Sequence, residues 1–207
     1  MKYAAGGVTV KTGEPTKVEI PSGRLRLSAW VNDPYSALGS TGSAQTGWGF
    51  FADPSIIQGW AGHLDDVSPV ATAMWDSKTK GVTWSNPGCL PGAPEEKRIS
   101  ICREAVEKCH AAGIQMLAGY EYVTGISASQ SSASLFASWL KGADDTTLEE
   151  HGKQIVDFLW TKIGADWDGV GFDIELGSLD ASHAERFTRF YGLLADRLAG
   201  LGNKILA

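Results

Sequence analysis

Trp167-Asp-Gly-Val-Gly-Phe-Asp-Ile-Glu-Leu-Gly177 decides how this chain folds. Successive side chains of a strand point to opposite faces. Gly171, Asp173 and Glu175 therefore share one face, and Val170, Phe172 and Ile174 share the other. The apolar face suits packing against helices. The small and acidic face suits the interior side of a parallel sheet. Its two carboxylates fall toward the C-terminal end of the strand.

Working outward, the same alternation of strand and helix recurs. Strands are expected at Arg24-Leu-Arg-Leu-Ser-Ala-Trp-Val31, Val70-Ala-Thr-Ala-Met-Trp75, Ile114-Gln-Met-Leu-Ala-Gly-Tyr120, Gly169 to Glu175, and from Lys204 to Ala207. Each is a short apolar run bounded by turn residues. One helix opens at Pro94, carries Ile99, Cys102, Val106 and Cys109 on one face and ends at Gly113. A second is expected near Thr147, where Thr147 and Glu150 have capping-box spacing. It carries Leu148, Ile155, Leu159 and Ile163 and ends at Gly164. A third is expected from Ser182, with Glu185 in the box position and a buried stripe of Phe187, Phe190, Leu194, Leu198 and Leu201. A further helix is expected from Pro54 to Leu64.

This alternation implies βαβ units and a parallel sheet. The expected fold is α/β, of the (β/α)8 TIM-barrel type, with the first four βα units plus strand five. Residues 23–207 would form this partial barrel. Residues 1–22, with the run Val8 to Ile20, would form an N-terminal β extension. Links from helix to strand are short, as at Ala111 to Gly113 and Gly200 to Asn203. Links from strand to helix are long: Asn32 to about Ala52, Asp76 to Ala93, and Glu121 to Asp145. The biased stretch Ser127 to Ser134 reads as part of a loop. In α/β barrels the loops after the strands build the active site. A polar residue follows most strands on that side: Asp33, Asp76, Glu121 and Glu175. For Asp33 and Asp76 a capping or turn role is the simpler reading.

Composition narrows the partners. The 207 residues suit one domain with a sizeable core. The net charge is −6 and no basic stripe stands out, so no nucleic-acid partner is expected. No apolar run reaches the roughly 18 residues of a membrane span, so no membrane partner is expected. The start, MKYAAGGVTV, lacks the apolar segment of a secretory leader. Cys89, Cys102 and Cys109 form no disulfide framework, and no Cys/His spacing resembles a zinc site. His63, His110, His151 and His183 show no pairing, and solvated or capping roles are expected for them. The eight Trp fit a carbohydrate ligand, because the apolar face of a sugar stacks well on an indole, although most Trp of any domain are core.

Two inward carboxylates at this spacing do not both ionise easily, so one pKa is expected to rise. A neutral carboxylic acid poised to protonate a leaving oxygen is what glycosidic cleavage requires. Here Asp168-Gly-Val-Gly-Phe-Asp-Ile-Glu175 resembles the family 18 glycoside hydrolase signature, Asp-Gly-x-Asp-x-Asp-x-Glu. The Phe-Asp-Ile-Glu portion is most similar to plant class III chitinases. Leu117-Ala-Gly-Tyr120 resembles the small-residue end of the preceding strand of that family, and Leu64-Asp-Asp-Val-Ser-Pro-Val-Ala-Thr-Ala-Met74 resembles the lead-in to its second strand. The resemblance implies that Glu175 is the general acid. It implies that Asp173 orients the substrate's acetamido group, whose own oxygen attacks the anomeric carbon. It implies no metal and no cofactor. The substrate would be an N-acetylglucosamine-containing oligo- or polysaccharide: a chitin-like polymer, a peptidoglycan-like polymer or the chitobiose core of an N-glycan. A secreted or extracytoplasmic location follows from the resemblance alone. Tyr120, Tyr122, Glu121, Trp30, Trp75 and Gly171 are the further candidates for substrate contact. For Trp30, Trp75 and one of the two tyrosines, core packing is the competing reading.

The chain departs from the family at two points. The leading Asp of the motif, which supports the next Asp, is Gly171 here. The later strands of the family lie beyond residue 207, which implies a second chain or a C-terminal half that completes the barrel. Without it the sheet has an open edge. Two alternatives follow. One is a non-catalytic, chitinase-like glycan-binding module. The other is a metal-dependent barrel phosphodiesterase using Asp173, Glu175 and Glu121 as oxygen ligands.

Overall fold

The computed structural model describes residues 27–31, 54–69, 72–85, 93–121, 131–173, 180–202 and 204–207. In chain order the elements are β1 (Ser28–Val31), α1 (Pro54–Trp60), β2 (Asp66–Pro69), β3 (Ala73–Trp75), β4 (Val82–Trp84), α2 (Glu95–Ala111), β5 (Gln115–Glu121), α3 (Ser131–Gly142), α4 (Asp145–Val156), β6 (Gly169–Asp173), α5 (Ala181–Gly200) and β7 (Ile205–Leu206). The expected strand within residues 8–20, together with Asp33, Cys89 and Tyr122, lies outside the described residues.

The strands form a mixed α/β arrangement around one sheet. β1 runs parallel to β2, β2 and β3 run parallel to successive halves of β5, β5 to β6, and β6 to β7. β2 and β3 thus make one interrupted line along β5. Thr72 bridges the break: its amide donates to the Gly119 carbonyl at 2.8 Å, and its hydroxyl accepts from the Gly119 amide at 3.2 Å. Position in space therefore follows position in sequence along the parallel strands, from β1 through β2 and β3, β5 and β6 to β7, without the reversal of order that marks a doubly wound sheet. β4 is antiparallel to β3 and closes a tight hairpin. Asp76 shapes its turn by accepting from the Lys78 amide and the Thr79 hydroxyl, which gives it the turn role expected for it.

Helices cover one face of the sheet. Val67, Met116, Ala118, Tyr120 and Val170 point to that side and are buried in one core with Cys102, Val106, Leu148, Ile155, Leu159, Phe190 and Leu198. The stripes read from spacing are therefore packing stripes, except at Ile99, which is half-buried and outside this core, and Leu201, which is exposed. α4 continues as a π-helical turn, Asp157–Ile163, and stops at Gly164, whose φ of 64° is left-handed. Arg103 of α2 caps this end, donating from Nε to the Ile163 carbonyl at 2.8 Å.

Several local expectations need correction. The caps of α4 and α5 are not Thr147 and Ser182. Asp144 accepts from the Thr147 amide, and Asp180 accepts from the His183 amide. Each Asp stands three residues before the amide it caps, so the hydroxyl residues belong to the first turn instead. The link from Glu121 to Asp145 contains a whole helix, α3, which buries Phe136 and Leu140. Its Ser/Ala-rich start hid the apolar pair that follows. The link after Trp75 contains β4, whose three residues are too few to show alternation.

The imidazole of His151 is embedded in this helix layer. Its Nε2 lies 2.8 Å from the Tyr120 hydroxyl, and the rings of Trp139 and Phe190 pack on it. Burial holds its pKa at about 4, below the ordinary 6.5, against a smaller opposing effect from Gln154. The folded state thus favours neutral imidazole, and the stabilisation is complete above pH 6.5 and lost as pH falls toward 4. The displacement corresponds to roughly 3 kcal/mol at its limit. We expect the melting temperature of the protein to drop more steeply between pH 6.5 and 4 than that of His151→Gln; parallel curves would show that His151 does not titrate on unfolding.

Candidate active site

β6 is fastened at its start. Asp168 accepts from the Met116 amide at 2.8 Å, and His110 Nε2 of α2 lies 2.7 Å from the same oxygen. The first Asp of the motif thus anchors β6 to β5 and α2, at the end of the strand opposite the carboxylates. Burial, with the charge of Asp168 adding to it, pushes the Cys109 thiol up to about 12. That thiol stays protonated and unreactive at neutral pH. The expectation that the histidines are unpaired is corrected for His110, for His151, and for His183, whose Nδ1 lies 2.7 Å from Asp180.

Register carries the geometry up the strand. Leu117 stands beside Gly169, Gly119 beside Gly171, and Glu121 beside Asp173. Partners in a parallel pair share a face, and neighbouring strands lie about 4.8 Å apart. Glu121 and Asp173 are therefore register neighbours at the C-terminal ends of β5 and β6. Glu175 lies outside the described residues. The alternation expected for β6 holds where it is described: Val170 is fully buried, and Phe172 packs on Tyr120, Phe190 and Tyr191.

Gly171 is the centre of the opposite face. A Cβ built there would lie 2.8 Å from the Ser68 hydroxyl oxygen and 3.1 and 3.2 Å from Cη2 and Cζ2 of Trp30. Trp30 and Ser68 are register partners on β1 and β2. In a flat sheet β1 and β6, three strand spacings apart, would be separated by about 14 Å, farther than an indole reaches. The contact requires the sheet to curl toward its glycine-rich face. Gly169 adds to this. A Cβ there would run into the backbone of Ile205, so β6 and β7 approach more closely than a side chain at 169 would allow.

The remaining candidates divide by face. Trp30 is on the concave face and 43% exposed. Trp75 and Tyr120 are on the helix face, 3% and 0% exposed. Trp75 packs on Phe136 and Trp139, and Tyr120 on Phe172 and His151. Both belong to the packing layer, so the expected substrate contacts for these two are corrected. Spacing alone placed them at strand ends without deciding the face. Gly171 is buried beneath Trp30 and Ser68. Among the described residues no helix is long and apolar enough to cross a membrane.

No protein-family model matches the chain, and no curated protein matches it. Among solved structures the chain is similar in fold to the spore cortex-lytic enzyme SleL of Bacillus cereus, with a TM-score of 0.50 and 12% sequence identity over 84% of this chain. The chain spans about a third of that structure, 32% of its length.

The room at residue 171 is testable. Gly171→Ala should lower stability by about 1–3 kcal/mol, the cost of forcing a methyl into a filled space, read by urea unfolding. An unchanged midpoint would show that Trp30 and Ser68 do not press on this position.

Proposed function

We propose that the chain is the N-terminal part of a TIM-barrel glycoside hydrolase of the family 18 type. It would act on N-acetylglucosamine-containing glycans, with Glu175 as general acid and Asp173 as the group that orients the acetamido nitrogen. The observation that carries this reading is the position of Asp173. It is the last residue of β6, in register with Glu121 of β5, and the alternation read from the sequence puts it with Glu175 on the side of Gly171. Parallel strands in sequential order and a curl toward that face support a barrel arc. Likeness in fold to a cortex-lytic enzyme agrees with it. Chitin-like polymers and the chitobiose core of N-glycans both supply the required 2-acetamido group, and the closure of the barrel would come from further chain or a second chain.

A specific observation favours a second reading. Gly171 replaces the supporting Asp of the motif, and its space is taken by Trp30, so Asp173 has no carboxylate two residues before it on its own strand. A glycan-binding module without turnover could result.

Mass spectrometry of products separates the two. Incubation with chitooligosaccharides and with a high-mannose glycoprotein should give cleavage that drops by at least about a hundredfold in Glu175→Gln, the scale of a lost general acid. Asp173→Asn should lower the rate as well. Binding without cleavage, equal in protein and Glu175→Gln, would establish the binding module. Cleavage that survives Glu175→Gln would remove Glu175 from the mechanism.

A further inference from the structure

We infer that α4 holds one buried water molecule between His151 and Gln154, and that the imidazole carries its proton on Nδ1 to bind it. The inference stands apart from the proposed function. Its ground is a count of donors and acceptors inside the helix layer. His151 is 2% exposed and Tyr120 is fully buried. Among the described residues the Tyr120 hydroxyl has one hydrogen-bond partner, His151 Nε2 at 2.8 Å. A hydroxyl carries one proton, and a buried O–H that donates to nothing forfeits its hydration without return. Tyr120 therefore donates and Nε2 accepts. Enclosed by the rings of Tyr120, Trp139 and Phe190, the imidazole is neutral and has a single N–H. That N–H is at Nδ1.

Nδ1 of His151 and Oε1 of Gln154 are both buried, and neither has a hydrogen-bond partner within the chain. The two residues lie one turn apart on α4, where side chains at this spacing are neighbours. One atom is a donor and the other an acceptor, yet they make no direct bond. The β3–β4 turn closes over the acceptor: a Cβ built at Gly81 would lie 3.5 Å from Gln154 Oε1. The occupant must accept from an N–H, donate to an amide oxygen, be small, and be uncharged among aromatic rings. Water meets all four conditions, and bridging otherwise unsatisfied buried groups is the usual work of an internal water. The chain of bonds then runs from the Tyr120 O–H to Nε2, and from Nδ1–H through the water to Gln154. Every proton points the same way along it, so each bond polarises the next. This chain links β5 to α4 beneath the hairpin turn.

The test is long-range proton–nitrogen NMR of the full chain labelled with nitrogen-15 histidine. The His151→Gln variant identifies the His151 signals among those of the four histidines. At neutral pH Nδ1 should resonate as a protonated ring nitrogen and Nε2 as a bare one. The Nδ1 proton should also show a direct cross-relaxation peak to a long-lived water. Gln154→Leu, shown to be folded by circular dichroism, should lose that peak. If Gln154→Leu does not fold, the unsubstituted protein decides by itself: the water peak supports the inference and its absence overturns it. A proton found on Nε2 overturns the tautomer and with it the bridge. A protonated Nδ1 that contacts the Gln154 side chain and no water overturns the water site. A water peak of equal strength in folded Gln154→Leu shows that Gln154 does not hold the molecule, and overturns the bridge.

Discussion

The indole of Trp30 and the hydroxyl of Ser68 meet over Gly171, although β1 and β6 are separated by the whole width of β2 and β5. Much else depends on this meeting. A sheet brings such distant strands together only by curling, and curling gives it an outer and an inner face. The outer face gains area, which the helices cover with Leu148, Ile155, Phe190 and Leu198. The inner face loses area and accepts small residues, which is where Gly119, Gly169 and Gly171 fall in register. Sheet curvature, helix layer and concave lining are thus consequences of one steric arrangement.

β6 divides its labour along its length. At its start Asp168 is committed to hydrogen bonds with the Met116 amide and the His110 ring, which hold the strand to its neighbour and to α2. At its end Asp173 is the register neighbour of Glu121. In parallel α/β sheets the two rims commonly divide in this way, one for stability and the other for sites. The acidic motif is therefore two devices in one strand, and only its later part belongs to the candidate site.

The helix face has a polar insertion of its own. The Tyr120 hydroxyl meets His151 Nε2 inside a layer of Trp75, Phe136, Trp139, Phe172 and Phe190. Burial costs both side chains their water, and each pays with a pKa displaced toward the neutral form. Tyr120 adjoins Glu121 and stands beside Phe172, so this aromatic layer backs the strand ends that carry the candidate carboxylates.

By itself the sequence determined the parallel α/β class, the positions of most strands, and most of the buried stripes of α2, α4 and α5. These follow from periodicity, which is a local property of the chain. The caps were misread because several polar residues near a helix start compete for the same amide, and only the backbone path shows that Asp144 and Asp180 win. α3 was missed because its first turn is Ser and Ala. The site residues divide in the same way. Asp173 and Glu121 were legible as strand-end carboxylates. Which aromatic faces the concave side was not: Trp30, Trp75 and Tyr120 look equivalent at strand ends, and the face each takes depends on registers between strands far apart in sequence. The reason for glycine at 171 was likewise hidden, because its neighbours Trp30 and Ser68 are more than a hundred residues away along the chain and reach it only through the curl of the sheet.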